Sequence, residues 1–198
     1  YELVNVHFEG LVWRDGDVDP TRVDGYIADG ITDMAIEYLR AYRRPEPLFL
    51  VVSIDPPHFP LTVPARFRRH DPDDLELRPN FQDAEQHRRD LALYYDMIEN
   101  VDWNLGRLVE ALQSIPRFAG EESLLAYFSD HGDFMGSHGL SMKKSHPHEE
   151  SVRVPAIFHW PGTIPAQGTV DGLFGLVDLM ATTLGLAGLP VPPWNQGR

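Results

Sequence analysis

Residues 47–60 read PLFLVVSIDPPHFP. A short, continuous apolar run rich in Val and Ile and closed by prolines has the pattern of a strand buried on both faces rather than of a helix. Strands of that kind belong to parallel α/β sheets, whose sites form outside the carboxyl ends of the strands. Whatever follows Ser53 therefore emerges at the sheet edge where chemistry is normally placed. His58 is among those residues, held between prolines that favour an extended backbone. Alone, a loop histidine of this kind is an ordinary loop residue.

Outward from this run the periodicities alternate. Residues 3–8 read as a short strand followed by loop. In 28–42, Ile31, Met34, Ala35, Tyr38, Leu39 and Tyr42 recur at three and four, which predicts a helix with Asp29 or Thr32 at its cap and Pro45 near its end. Residues 60–83 are rich in Pro, Arg and Asp and read as irregular. The longest helix is predicted over 84–114, where Leu91, Tyr94, Ile98, Val101, Leu105, Leu108 and Leu112 form one apolar stripe, with Arg88, Arg89, Glu99 and Glu110 opposite. SLLAYFSD (123–130) and VPAIFHWPG (154–162) read as two further buried strands, and 175–188 as a last helix with Gly188 just past its end. The order predicts an α/β fold, a mostly parallel sheet flanked by helices.

Composition narrows the function. The chain has 198 residues, 42% of them hydrophobic, enough for one domain with a core. Lys and Arg number 17 against 30 Asp and Glu, a formal charge of −13, which argues against a nucleic-acid binder. RFRRH (66–70) and KKSHPH (143–148) are local basic islands; the first reads as solvated surface. There is no cysteine, so no disulfide, thiol nucleophile or Cys-based zinc site exists here. No apolar run reaches the ~18 residues of a membrane span.

SDHGDFMGSHGLSMKKSHPHEES (129–151) is the second stretch with chemical content. Asp130 and His131 place a carboxylate and an imidazole at a strand's end, ligands that a divalent ion accepts. Two ligands do not complete a site, because Ca²⁺ and Mg²⁺ take about six or more. Gly132, Gly136 and Gly139 would let backbone approach a ligand, and Lys144 and His138 could reach an oxyanion. The plainer alternative is a loop whose Asp caps a turn and whose histidines lie at the surface. Two strand ends that both deliver histidine favour the chemical reading.

On these residues the chain resembles the type I sulfatase family of the alkaline-phosphatase-like superfamily. The resemblance is carried, in order, by FLVVSIDPPHFPLTVP (49–64), YYDMIENVDWNLGRLVEAL (94–112), YFSDHGDFMGSHGL (127–140), HEESVRVPAIFHWPG (148–162) and LVDLMATTLGLAGLPVP (176–192). It implies that Asp130 and His131 are the family's late pair of metal ligands, the second of which is Asn in many members. His58 matches the histidine that contacts substrate. Lys144 matches the lysine that binds sulfate oxygens, with adjacent Lys143 competing for the role. His138 is implied as a substrate contact and Asp133 as an acceptor behind the ligands. Glu149, Glu150 and Arg153 are expected to fix the loop by pairing. His148 departs from the family, which usually has Tyr there.

The family's early half carries an Asp-Asp pair after the first strand and a CxPSR-type segment whose Cys or Ser becomes formylglycine. Neither has a counterpart in this sequence; Asp73-Asp74 lies in the arginine-rich loop. The expectation is that residues 1–198 form an internal part of a sulfatase catalytic domain, without the nucleophile region and the C-terminal subdomain, and inactive alone. In the intact protein the resemblance implies a divalent metal, Ca²⁺ or Mg²⁺, and attack on sulfur by the formylglycine hydrate. Metal and lysines would neutralise sulfate oxygens, and a histidine would assist the leaving oxygen. The implied substrate is a sulfated small molecule or sulfated sugar, with loop 60–83 setting specificity. Two alternatives share these residues: a phosphoester or phosphonate-ester hydrolase of the same superfamily, and a catalytically dead sulfate-binding domain.

Overall fold

The computed structural model describes residues 7–13, 18–140, 146–166 and 168–198. Its body is a pair of helices, α1 (Ile27–Ala41) and α2 (Glu85–Ser114), close to the spans that periodicity predicts. Ala35 and Ile36 of α1 meet Leu108 and Ala111 of α2, and Val52 packs against the group. A second cluster joins Val63 and Phe67, from the loop before α2, to Met97. A 3₁₀ turn, Ala65–Phe67, brings Phe67 inward.

Neither expected cap is used on α1. Tyr26 occupies the cap position, and no side chain bonds there. Thr32 is wholly buried. Asp29 turns to α2 instead: its Oδ1 accepts from Asn100 Nδ2 (2.8 Å) and Asn104 Nδ2 (2.9 Å), and its Oδ2 from Arg66 (2.7 Å). Three side-chain donors satisfy the carboxylate better than one backbone N–H would.

The predicted stripe of α2 is partly right. Leu91, Val101 and Leu108 are buried, but Ile98 is 39% exposed. The buried face also carries Asp96, Asn100 and Asn104, polar residues that an apolar period passes over. Asp96 Oδ1 accepts from the backbone N–H groups of Arg69 (3.0 Å) and His70 (3.1 Å) and from His70 Nδ1 (2.8 Å). The RFRRH island is therefore pinned to α2 rather than simply solvated, and the guanidinium groups of Arg66 and Arg107 each lie over the Trp103 ring, 4.7 Å from its centre.

The α/β class holds, with strands arranged differently from expectation. β1 (Leu11–Val12) and β2 (Thr21–Arg22) form one antiparallel pair. β3 (Leu125–Phe128) pairs antiparallel with β4 (Ala156–His159), Leu125 opposite His159 and Phe128 opposite Ala156. A parallel neighbour needs a long crossover, usually a helix. In the described part of the connection between β3 and β4 the only helix is the single turn α3 (Glu149–Val152). Both strands are also more exposed than expected.

Residues 47–60 are corrected in the same way. They run extended but join no ladder among the described residues. Val52 faces the helices, while Phe49 is 76% and Val51 68% exposed. No described strand lies alongside to take up the backbone groups or the outer side chains, so burial is one-sided. The last helix, α4 (Leu176–Leu186), ends as predicted. Gly188 has φ +69°, and the N–H of Leu189 reaches the carbonyl of Leu184 (2.8 Å), the closing bond of a left-handed helix cap.

Candidate active site

Asp130 and His131 leave β3 directly. Gly132 N–H donates to the Ser151 carbonyl (2.8 Å) and Ser129 N–H to that of Pro155 (3.3 Å), tying the segment to α3 and the approach to β4. A Cβ at Gly132 would lie 2.0 Å from the Glu150 carbonyl oxygen, so only glycine fits the crossing. Asp130 Oδ1 accepts the N–H of His131 (2.9 Å). His131 Nδ1 lies 2.9 Å from the Gly132 carbonyl. A carbonyl only accepts, so Nδ1 carries the proton and Nε2 of the neutral ring carries the lone pair. That Nε2 is 3.5 Å from Asp130 Oδ2, on a side chain 80% exposed.

Neighbouring ligands on one divalent ion stand about 3–3.5 Å apart, given metal–ligand bonds of about 2.0–2.4 Å. The pair fits two adjacent coordination positions. Among the described residues no group of three or more His, Asp or Glu side chains is arranged to hold an ion.

His58 is half-buried. Its N–H donates to the Asp55 carbonyl (3.0 Å), and its ring Nδ1 to the carbonyl of Phe59 (2.7 Å), which again leaves Nε2 as the lone-pair nitrogen. His7 lies behind it, 1% exposed, with Nε2 donating to the His58 carbonyl (2.7 Å) and Nδ1 3.5 Å from Asp55 Oδ2. No hydrogen bond, ion pair or ring contact among the described residues joins His58 to Asp130 or His131.

His138 sits elsewhere, in the turn 134–140, at φ +56°. Its Nε2 is 3.0 Å from Asn80 Nδ2 and 3.4 Å from Glu150 Oε1, and Asn80 also donates to Glu150 (2.5 Å). The Asn80 bond, a backbone bond and the His138 ring together hold the Glu150 carboxyl below its usual range. The rings of His138 and His148 are 4.8 Å apart, and His148 packs 5.3 Å from the fully buried Phe134. The expected pairing of Glu150 therefore holds the loop to residue 80. Arg153 and Glu149, 4.0 Å apart and well exposed, add little.

The glycines expected to admit a ligand face protein instead. At φ +89°, Gly136 lies against the ring of Phe81, and at φ +69° Gly139 lies against Gln82. Asp133 accepts the N–H of Phe134 (2.7 Å). Burial, then the charge of Asp133, pushes the Tyr94 phenol up to about 12. Lys143 and Lys144 fall outside the described residues. A cleft of about 520 Å³ in the irregular loop is lined by His70, Asp74, Glu76, Arg78 and Tyr95, among others.

Sequence reasoning overlooked His7, Asp55 and Asn80. No periodic or motif signal marks them, because each acts across a long sequence separation. Comparison with known proteins joins these pieces. The Sulfatase family profile matches residues 5–189.

The chain belongs to the sulfatase family. It is 30% identical over 192 residues to an arylsulfatase of Clostridium perfringens, covering 84% of this chain and 39% of that protein. A putative sulfatase, yidJ, of Bacteroides fragilis superposes with a TM-score of 0.88 at 28% identity, covering 97% of this chain and 44% of that one. Ps i-CgsB, solved in complex with k-i-k-neocarrahexaose, gives a TM-score of 0.71 at 26% identity, covering 91% of this chain and 39% of that one. This sulfatase chain thus spans less than half the length of these relatives. No helix among its described residues is long and apolar enough to cross a membrane.

Proposed function

We propose that residues 1–198 are part of the catalytic domain of a sulfuric ester hydrolase whose substrate is a sulfated sugar or another small sulfate ester. The observation that carries this reading is the Asp130–His131 pair, a carboxylate oxygen and an imidazole lone pair 3.5 Å apart at a strand end, within a chain of sulfatase sequence. In this reading Asp130 and His131 are two ligands of a divalent metal, Ca²⁺ or Mg²⁺. The ion, when bound, supplies positive charge to sulfate oxygens.

The chain's own residues do the rest of their share. His58, its Nδ1–H committed to the Phe59 carbonyl, leaves Nε2 to take up a proton, and the imidazolium so formed passes that Nε2 proton to the leaving oxygen. Lys144, with Lys143 beside it, neutralises sulfate oxygens, and His138 borders the substrate through the loop it helps to hold. The cleft at His70, Arg78 and Tyr95 offers ring and charged groups to a sugar. The nucleophile, a formylglycine in this reading, is not among these residues, since the sequence has neither Cys nor an SxPSR segment.

The consequence is weak metal binding and no turnover by the 198-residue chain. Titration with Ca²⁺ is expected to move the NMR signals of Asp130 and His131 first, with affinity well below that of a six-ligand site, and Asp130→Ala is expected to abolish the response. The same sample is expected to leave an aryl sulfate intact. Hydrolysis that disappears in Asp130→Ala would overturn the incomplete site, and Ca²⁺ shifts that avoid residues 130–131 would overturn the ligand assignment.

A further inference from the structure

We propose that His7 is a positioning residue for His58, fixing which ring nitrogen of His58 meets the substrate; this rests on the reading of His58 as the proton-handling group. An imidazole as thoroughly buried as His7 is costly unless its polar atoms are used. Its Nε2 is used: at 2.7 Å from the His58 carbonyl it must be the donor. Its backbone carbonyl accepts the N–H of Ile27 (2.7 Å), anchoring it to the first turn of α1. Tyr26, 6.0 Å away ring to ring, donates its hydroxyl to the Thr62 carbonyl (2.9 Å).

The loop 55–62 is thus gripped along its length by two residues that precede α1. His7 bonds the His58 carbonyl and Tyr26 bonds the far end, while His7 Nδ1, 3.5 Å from Asp55 Oδ2, makes no hydrogen bond among the described residues. The N–H of His58 is held by the Asp55 carbonyl (3.0 Å). With both sides of residue 58 fixed, the Phe59 carbonyl stays against His58 Nδ1 and the Nδ1–H tautomer is imposed. The lone pair on Nε2 is then always the outward one. Without the His7 bond the 58–59 peptide can rotate, and the ring reverts to a mixture of tautomers.

Long-range ¹H–¹⁵N NMR of the ring nitrogens of His58 in the 198-residue chain tests this without requiring turnover. The wild type is expected to show a single Nδ1–H tautomer. His7→Ala is expected to give averaged shifts. His7→Gln, whose amide nitrogen reaches about where Nε2 stood, is expected to restore the wild-type pattern. Should His7→Ala fail to fold, His7→Asn replaces it, since its shorter amide cannot reach the His58 carbonyl. A wild-type ring with its proton on Nε2, a folded Ala or Asn variant with unchanged His58 shifts, or a Gln variant that does not restore them would each overturn the proposal. Titration with 4-nitrophenyl sulfate is a separate arm: His58 signals that ignore it speak against the sulfatase role of His58 and leave the positioning result standing.

Discussion

Glu150 is held by Asn80, by a backbone bond and by the His138 ring, and its carboxyl ionises below the usual range. A depressed folded value means that what Glu150 contributes to holding the loop is complete above the unfolded value of ~4.3 and is lost as pH falls through the folded one. Asn80→Ala removes the largest cause and is expected to move the Glu150 midpoint up toward the ordinary carboxylate range. A ¹³C carboxyl titration reads this, and an unmoved midpoint would show that Asn80 is not the cause. Asp130 and His131 drew notice in the sequence because motif and strand end coincide, and His58 by its motif alone, since no strand forms over 47–60 among the described residues. The pairing of Glu150 was foreseen, but its partner was not, since Asn80 lies in an irregular loop and the two are 70 positions apart. His7 escaped notice for a related reason: one histidine in a segment read as a short strand carries no period.

At the level of elements, helices declared themselves, while β3 and β4 declared their positions but not their antiparallel pairing. α1 and α2 match their predicted spans because a stripe repeated over several turns is a strong signal. The run 47–60 was equally apolar, yet a strand needs a neighbour, and hydropathy cannot say whether one lies alongside. The polar seam of Asp29, Asn100 and Asn104 between the helices was invisible for the opposite reason, since polar residues are read as outward-facing. One glycine makes the packing testable. In a helix interior Gly→Ala normally stabilises by about 1 kcal/mol. At Gly30 of α1 a Cβ would stand 2.0 Å from Val23 Cγ1, and Val23 is buried. Gly30→Ala is therefore expected to destabilise, by about 1–3 kcal/mol as overpacking usually does, in urea unfolding. A gain in stability would show that Val23 moves aside freely.

For the molecule as a whole, the conspicuous feature is apolar surface. Phe49, Val51, Val170, Leu173 and Trp194 are all at least two-thirds exposed. Surface of this kind, with an extended segment that joins no ladder among the described residues, favours association between chains. The chain is expected to gain mass with concentration in sedimentation velocity, and Phe49→Lys with Val51→Lys to return it toward a monomer. A wild type that stays monomeric at every concentration would contradict this.

The buried apolar residues also have a lopsided distribution along the chain. Among the described residues they run from Val23 to Ala111, with Phe134 and Met135 beyond, and Ala181 alone on α4. Helical hydrogen bonds are protected from solvent exchange in proportion to the packing that must open to expose them. The amides of α2 are therefore expected to keep their protons longest in deuterated water, opening only with the α1–α2 unit as a whole. Those of α4, equally regular in backbone geometry, are expected to exchange early. The same sequence would then hold two helices of like form and very unlike lifetime.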